Sequence, residues 1–199
     1  MVRIGVLALQ GSVAEHMKML SRIEGLTPCE IRRPEEIETT SGIILPGGES
    51  TTIGKLLKEF NLSNIIIEKA RNGTPVWGTC AGMILLAKEI VGENYVHLGL
   101  MDISVRRNAY GSQLDSFFTK CKIPDVSDIE IPLVFIRAPW VEWLSKNVKV
   151  LAHINGKAIA VRQDNILATS FHPELTDDLS FHRYFAKMVL SRMEKDSRS

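Results

Sequence analysis

The stretch Pro75-Val76-Trp77-Gly78-Thr79-Cys80-Ala81-Gly82-Met83-Ile84-Leu85-Leu86-Ala87 decides the fold. A short apolar run breaks at a Gly-x-Cys-x-Gly turn and resumes with helical spacing, so the segment reads as strand, sharp turn and helix with a thiol at the apex. Such a nucleophile elbow needs small flanking residues, because a side chain at Gly78 or Gly82 would crowd the backbone, and it lifts the central residue clear of the sheet. A thiol at the start of a helix is also biased toward thiolate, its reactive form.

Working outward, two further strand ends supply partners for Cys80. Downstream, Ile166-Leu167-Ala168-Thr169-Ser170-Phe171 reads as a buried strand and is followed at once by His172-Pro173-Glu174. A base and a carboxylate to orient it therefore arrive together, giving nucleophile, base and orienting group in the chain order Cys80, His172, Glu174. Pro173 restricts the backbone between the last two. Upstream, Ser41-Gly42-Ile43-Ile44-Leu45 runs as a strand into Pro46-Gly47-Gly48-Glu49-Ser50-Thr51-Thr52. Backbone N–H groups at Gly47 and Gly48, with that of Ala81, are the donors an oxyanion hole requires. The three segments together imply chemistry at a carbonyl carbon.

The first half of the chain alternates short apolar runs with helical patterns, the signature of βαβ units and a mostly parallel sheet. Val2 to Leu9 reads as a central strand, Val13, Met17 and Leu20 as a helix face, and Leu26 to Ile31 as a strand that Arg32-Arg33-Pro34 breaks. Ile53, Leu56, Leu57 and Phe60 form the next helix face, with Ser50 or Thr51 as its cap. Beyond the elbow helix, His97 to Val105, Gln113 to Ile123 and Ile131 to Ile136 read as strands without intervening helices. A hairpin-rich return follows from Val148 to Phe171, with Asn155-Gly156 as a two-residue turn. A last helix carries Phe181, Tyr184, Phe185, Met188 and Val189, and residues 194–199 are expected to fray. The expectation is a three-layer, flavodoxin-like α/β fold: a mostly parallel central sheet, flanking helices and an antiparallel extension. The chain, residues 1–199, reads as a single domain, and the three site segments fall at strand C-termini, where open α/β sheets bind ligands.

Composition narrows the function. Lys plus Arg number 24 against 23 Asp plus Glu, a net charge of +1 that lacks the basic footprint of a nucleic-acid binder. Cys29, Cys80 and Cys121 have no CxxC spacing and do not form an even set, which supports neither a zinc site nor a disulfide framework and fits a reducing compartment. Ile4 to Leu9 is too short for the apolar part of a signal peptide, and no run reaches membrane-spanning length. A cytoplasmic protein with no nucleic-acid or membrane partner is expected. His16, His97, His153 and His182 lack metal-ligand spacing and read as core or surface residues; no metal site is expected. Taken alone, Cys29 and Cys121 read as structural, and so do Arg106, Arg107 and Arg137.

Gly-Thr-Cys-Ala-Gly at 78–82, Pro-Gly-Gly-Glu-Ser at 46–50 and His-Pro-Glu at 172–174 resemble the class I, or triad, glutamine amidotransferases. Gly5 to Gly11, Pro46 to Thr52, Arg107-Asn108-Ala109-Tyr110-Gly111, Phe135-Ile136-Arg137-Ala138-Pro139 and Ser170 to Thr176 look like the glutaminase subunits of pyridoxal 5'-phosphate synthase, the PdxT family. The resemblance spans residues 2 to about 190, with Lys122 to Leu133 departing from it. It implies hydrolysis of L-glutamine to glutamate by Cys80, His172 and Glu174, with ammonia passed to a separate synthase subunit of the PdxS family. It also implies glutamine binding at Gly48, Glu49, Ser50, Arg107, Ile136 and Arg137, which moves both arginines from structural to ligand-binding. Gln10 and the Pro-Gly-Gly loop would respond to docking of the synthase. No metal or organic cofactor serves this half-reaction, and pyridoxal phosphate is the product of the complex. Two other readings stay open from the sequence: a glutaminase that feeds a different synthase or acts alone, and a non-catalytic regulatory module on the same fold.

Overall fold

Runs of four to seven residues with strong β character are too short to bury both faces alone, and in the computed structural model they line up as one ten-stranded sheet with a separate two-stranded ribbon beside it. Residues 2–107 and 116–197 are described. In chain order the elements are β1 (Val2–Leu7), α1 (Val13–Ser21), β2 (Leu26–Ile31), α2 (Pro34–Glu38), β3 (Gly42–Leu45), α3 (Ser50–Glu59), α4 (Leu62–Arg71), β4 (Val76–Thr79), α5 (Ala81–Leu86), β5 (Ala87–Ile90), β6 (Met101–Arg106), β7 (Ser116–Lys122), β8 (Glu130–Ile136), β9 (Trp140–Leu144), β10 (Lys149–Ile154), β11 (Lys157–Gln163), β12 (Ile166–Thr169), a 3-10 turn (Pro173–Leu175) and α6 (Ser180–Asp196).

The sheet runs β2-β1-β3-β4-β12-β11-β9-β6-β5, with β10 also paired to β11. From β2 to β12 every pairing is parallel. Beyond β12 the chain turns antiparallel through β11 and β9 to β6. Side chains alternate across a strand, so each central strand feeds two cores. Ile43 and Leu45, Val76, and Ile166 and Ala168 pack with Leu57, Leu62, Ile66 and Met83 of the helices on one face. Ile44, Trp77 and Leu167 pack on the other face with Leu20 of α1, Phe181 and Phe185 of α6, and Phe135 of β8. The result is the expected three-layer arrangement.

Register places the site. Thr79 lies opposite Thr169 on β12, and Gly78 lies opposite Leu45 on β3. The chain therefore leaves these three adjacent strands at one level, carrying Cys80, His172 and Gly47 to the same edge.

Several local expectations change. β1 ends at Leu7 rather than Leu9, and the strand expected from His97 begins at Met101. The elbow helix ends at Leu86, and Ala87 opens β5, whose Ala87 and Ile90 are buried while Lys88 and Glu89 face out. The described part of the strand expected over Gln113 to Ile123 pairs with β8 as a separate ribbon rather than extending the main sheet. The last helix continues past Met193 to Asp196, where Arg192 and Asp196 pair one turn apart. The sequence reading passed over α2, α4, β5 and β9. Of these, α4 had a readable face in Leu62, Ile66 and Ala70, all buried, and Asn61 in the left-handed region (φ 56°) separates it from α3.

Candidate active site

Cys80 caps the strand-to-helix turn with φ 47° and ψ −102°, a conformation a non-glycine residue adopts only when its surroundings impose it. A Cβ on Gly78 would overlap the Gly82 backbone, and one on Gly82 would overlap the Leu45 carbonyl. Both glycines are thus required by close backbone approach. The Cys80 N–H donates to the Thr169 carbonyl at 2.8 Å, which ties the elbow to the strand that delivers the histidine. The thiol is nearly buried and lies 3.7 Å from the Ile136 carbonyl.

His172 is held by its backbone N–H, which donates to the Val134 carbonyl at 2.8 Å. Its Nδ1 lies 2.7 Å from Glu174 Oε1, leaving Nε2 free to interact with the Cys80 sulfur. Burial opposes charging of the ring, but the hydrogen bonds to Cys80 and Glu174 and their charges outweigh it, and its pKa is raised to about 10. Glu174 shows the mirror case: burial works against its charge, yet His16, His172 and the Ser12 hydroxyl hold its pKa at about 2. The linked set is therefore an imidazolium between the Cys80 sulfur and a carboxylate.

The glycine loop is shaped around this pair. A Cβ on Gly47 would run into the His172 imidazole, and one on Gly48 into the Gln10 side chain. The Gly47 carbonyl accepts the Ser12 N–H at 3.0 Å, which turns the N–H of Gly48, on the same trans peptide, to the opposite side. Gln10 Oε1 accepts the Glu49 N–H at 2.7 Å. Glu49, and not Ser50 or Thr51, caps α3 by accepting the Thr51 N–H at 3.3 Å. Its carboxylate also meets Arg107 at 3.0 Å. Arg107 is further fixed by the Tyr95 hydroxyl at 3.3 Å and by Glu93 at 3.6 Å. Arg106 points elsewhere and pairs with Glu142 at 3.2 Å.

These groups enclose a cleft of about 280 Å³, at the small end of the range for small-molecule sites. Cys80, Ala81, His172, the run from Gly47 to Ser50, Gln10, Arg107, Ile136 and Arg137 all line it. Every candidate catalytic, oxyanion-hole, activation and glutamine-binding residue thus lines the cleft except Glu174, which lies buried behind His172. Asn108 to Gly111 of the sequence motif lie outside the described residues. Ser12, Ile84 and Leu175 also line the cleft and had not been singled out. Ser12 sits at the N-cap of α1 yet makes no capping bond; its hydroxyl donates instead to Glu174 Oε1 at 2.6 Å. A cap-type residue beside Gln10-Gly11 was visible in sequence, but its target was not.

The profile of the SNO glutamine amidotransferase family matches residues 6–191. The chain belongs to the SNO glutamine amidotransferase family. Among its relatives, the pyridoxal 5'-phosphate synthase subunit PdxT of Ruminiclostridium cellulolyticum is 55% identical over 189 residues, which cover 95% of this chain and all of that one. A crystal structure of a glutamine amidotransferase superposes with a TM-score of 0.88 at 43% identity, covering 94% of this chain and 98% of the other. A putative GMP synthase component from Thermoplasma acidophilum, at 17% identity, has a TM-score of 0.69 over 99% and 98% of the two chains and shares the fold. The stretch matched by the SNO family includes all three strand ends and every cleft residue named above.

Proposed function

We propose that the chain is the glutaminase subunit of a pyridoxal 5'-phosphate synthase, hydrolysing L-glutamine to L-glutamate and handing ammonia to a separate PdxS-type synthase subunit. The observation that carries the chemistry is the Cys80 sulfur and His172 imidazole lining a cleft, backed by the buried Glu174 carboxylate, with the Arg107–Glu49 pair lining the same cleft. That pair suits an α-amino acid. A zwitterion placed between them would exchange one ion pair for two, its carboxylate on the forked Arg107 guanidinium and its ammonium beside Glu49. Gly48, Ser50, Ile136 and Arg137 complete the glutamine site in this reading.

The Cys80 thiolate attacks the side-chain amide carbon of glutamine. The oxyanion that forms takes hydrogen bonds from backbone N–H groups at Gly47, Gly48 and Ala81. The His172 imidazolium gives its proton to the nitrogen as the C–N bond breaks, so ammonia leaves and a γ-glutamyl thioester remains. Now neutral, His172 takes a proton from water as the oxygen attacks the thioester. Glutamate departs, and the thiolate and imidazolium are restored. Glu174 keeps Nδ1 protonated throughout, so that Nε2 does the proton transfer.

The working unit in this reading is one domain, acting in the cytoplasm. Its three cysteines are free, and among the described residues no helix is long and apolar enough to cross a membrane. The deciding experiment measures glutamate release from L-glutamine by the purified chain, both by itself and with the synthase subunit, with Cys80→Ala as control. Activity that requires Cys80 and rises with the partner is the expected result. A wild-type chain inactive in both settings would sink the assignment.

A further inference from the structure

Glu174 has two carboxylate oxygens, and the triad uses one. Oε1 takes both His172 Nδ1 and the Ser12 hydroxyl. Oε2 is buried and has no hydrogen bond within ordinary length; its neighbour is His16 Nε2 at 3.5 Å. His16, on α1, is fully buried. The same Nε2 lies 3.2 Å from Thr79 Oγ1, and its Nδ1 lies 3.0 Å from Nε2 of His182 on α6, also fully buried. Both rings pack edge-on against Trp77. An unbroken file of side chains thus runs from Cys80 through His172, Glu174 and His16 to His182.

Chemistry decides where the protons sit in this file. A carboxylate only accepts, so the His16 nitrogen facing it carries hydrogen. Burial disfavours the charged form of both histidines, and two adjacent imidazolium rings would repel. The charged groups around them are Glu174, His172 and Glu15 for His16, and Glu174 and Arg22 for His182. A neutral His16 protonated at Nε2 has a bare Nδ1, which must accept from His182 Nε2–H. His182 Nδ1 is then a bare acceptor, and that atom has no partner. Switching one ring alone would set two lone pairs or two protons face to face, and switching both would turn a bare His16 Nε2 toward the Glu174 carboxylate.

We propose that His16 and His182 are positioning residues of the glutaminase reaction: His16, its tautomer locked by His182, holds the second oxygen of Glu174 and fixes the carboxylate's rotation toward His172. Ser12 and His16, four residues apart at the start of α1, then face the two oxygens from one helix, Ser12 through a 2.6 Å hydrogen bond and His16 through a 3.5 Å electrostatic contact. The inference rests on the triad reading above.

Two measurements test it. Ring-nitrogen NMR of the full chain labelled at histidine should show His16 and His182 as Nε2–H tautomers that stay neutral where a free histidine titrates, about pH 6.5. An Nδ1–H tautomer, or ordinary titration of either ring, overturns the proposal without any need for turnover. In the complex with the synthase subunit, His16→Leu should lower kcat about 10- to 100-fold, the scale at which losing the partner that orients a functional ligand is felt, with KM for glutamine unchanged. His16→Gln, whose amide N–H can take the Nε2 place, should recover most of that loss, and His182→Leu should fall between. Equal losses in the Leu and Gln variants, or a His16→Leu enzyme at wild-type kcat, refute the positioning role. Should His16→Leu fail to fold, His16→Gln and the NMR spectrum decide. An inactive wild-type complex would refute the triad reading instead, leaving the tautomers as a separate result.

Discussion

Gly47→Ala isolates the fit between the glycine loop and the catalytic ring. Gly47 has no left-handed backbone requirement, so alanine is excluded by space alone. Its Cβ would lie 2.8 Å from His172 Nδ1 and 3.3 Å from Nε2, with Cε1 nearer still, where ordinary contact begins at 3.4 Å. The imidazole or the loop must give way by about 1 Å to relieve the Cε1 contact. If the ring moves, either its 2.7 Å bond to Glu174 or its bond to Cys80 lengthens. Misplacing a reacting group by about 1 Å costs on the order of 100-fold, so kcat for glutamate release with the synthase subunit present should fall about 10- to 100-fold. KM should barely move, because Arg107 and Glu49 are untouched. Overpacking should also cost about 1–3 kcal/mol of stability, read by urea unfolding. Gly48→Ala, whose Cβ would meet the flexible end of Gln10, should act through the Gln10–Glu49 bond and cost less. A Gly47→Ala enzyme with wild-type kcat would refute the argument, and an intact kcat with raised KM would mean that the loop shapes the glutamine site instead.

Arg107→Lys keeps the charge but loses the planar fork and should raise KM for glutamine about tenfold or more with little change in kcat, the scale of one lost charge-assisted hydrogen bond; steady-state kinetics decide. The pH profile should have its alkaline limb near 10, since His172 is held at about 10, and a limb near the ordinary histidine value would contradict the linked site. Because His172 is raised on folding, its stabilisation is complete below about 6.5 and is lost as pH rises through about 10. Glu174 is lowered, so its stabilisation is complete above about 4.5 and is lost as pH falls toward about 2. Unfolding midpoints across both windows check these directions. Gly54 lies inside α3, where Gly→Ala ordinarily adds about 1 kcal/mol of stability. Here a Cβ would overlap the His97 ring, so Gly54→Ala should lower Tm, and adding His97→Ala should restore part of it; additive losses would show that the two do not touch.

How much of this was legible follows the range of the forces involved. Gly78 and Gly82 announced the elbow because a tight backbone turn is a local demand, and the uninterrupted apolar run Ile43-Ile44-Leu45 announced a strand, which the structure buries throughout. His172 and Glu174 were found because they lie two residues apart behind a readable strand. The cap of α3 was misread because Glu49 resembles a surface carboxylate, and only the fold brings Arg107 to it. Tyr95 and Glu93, which steady Arg107, have no pattern of their own.

The sequence by itself determined the chemical cast, the side of its strand on which each core residue sits, and the order Cys80, His172, Glu174. These are properties of neighbours along the chain. Only the tertiary structure decided that β12 lies beside β4, which brings His172 to Cys80, and that α1 and α6 meet behind the sheet so that His16 and His182 close on Glu174. Such pairings depend on how whole faces are removed from water, and no local run of residues records which distant face it will meet.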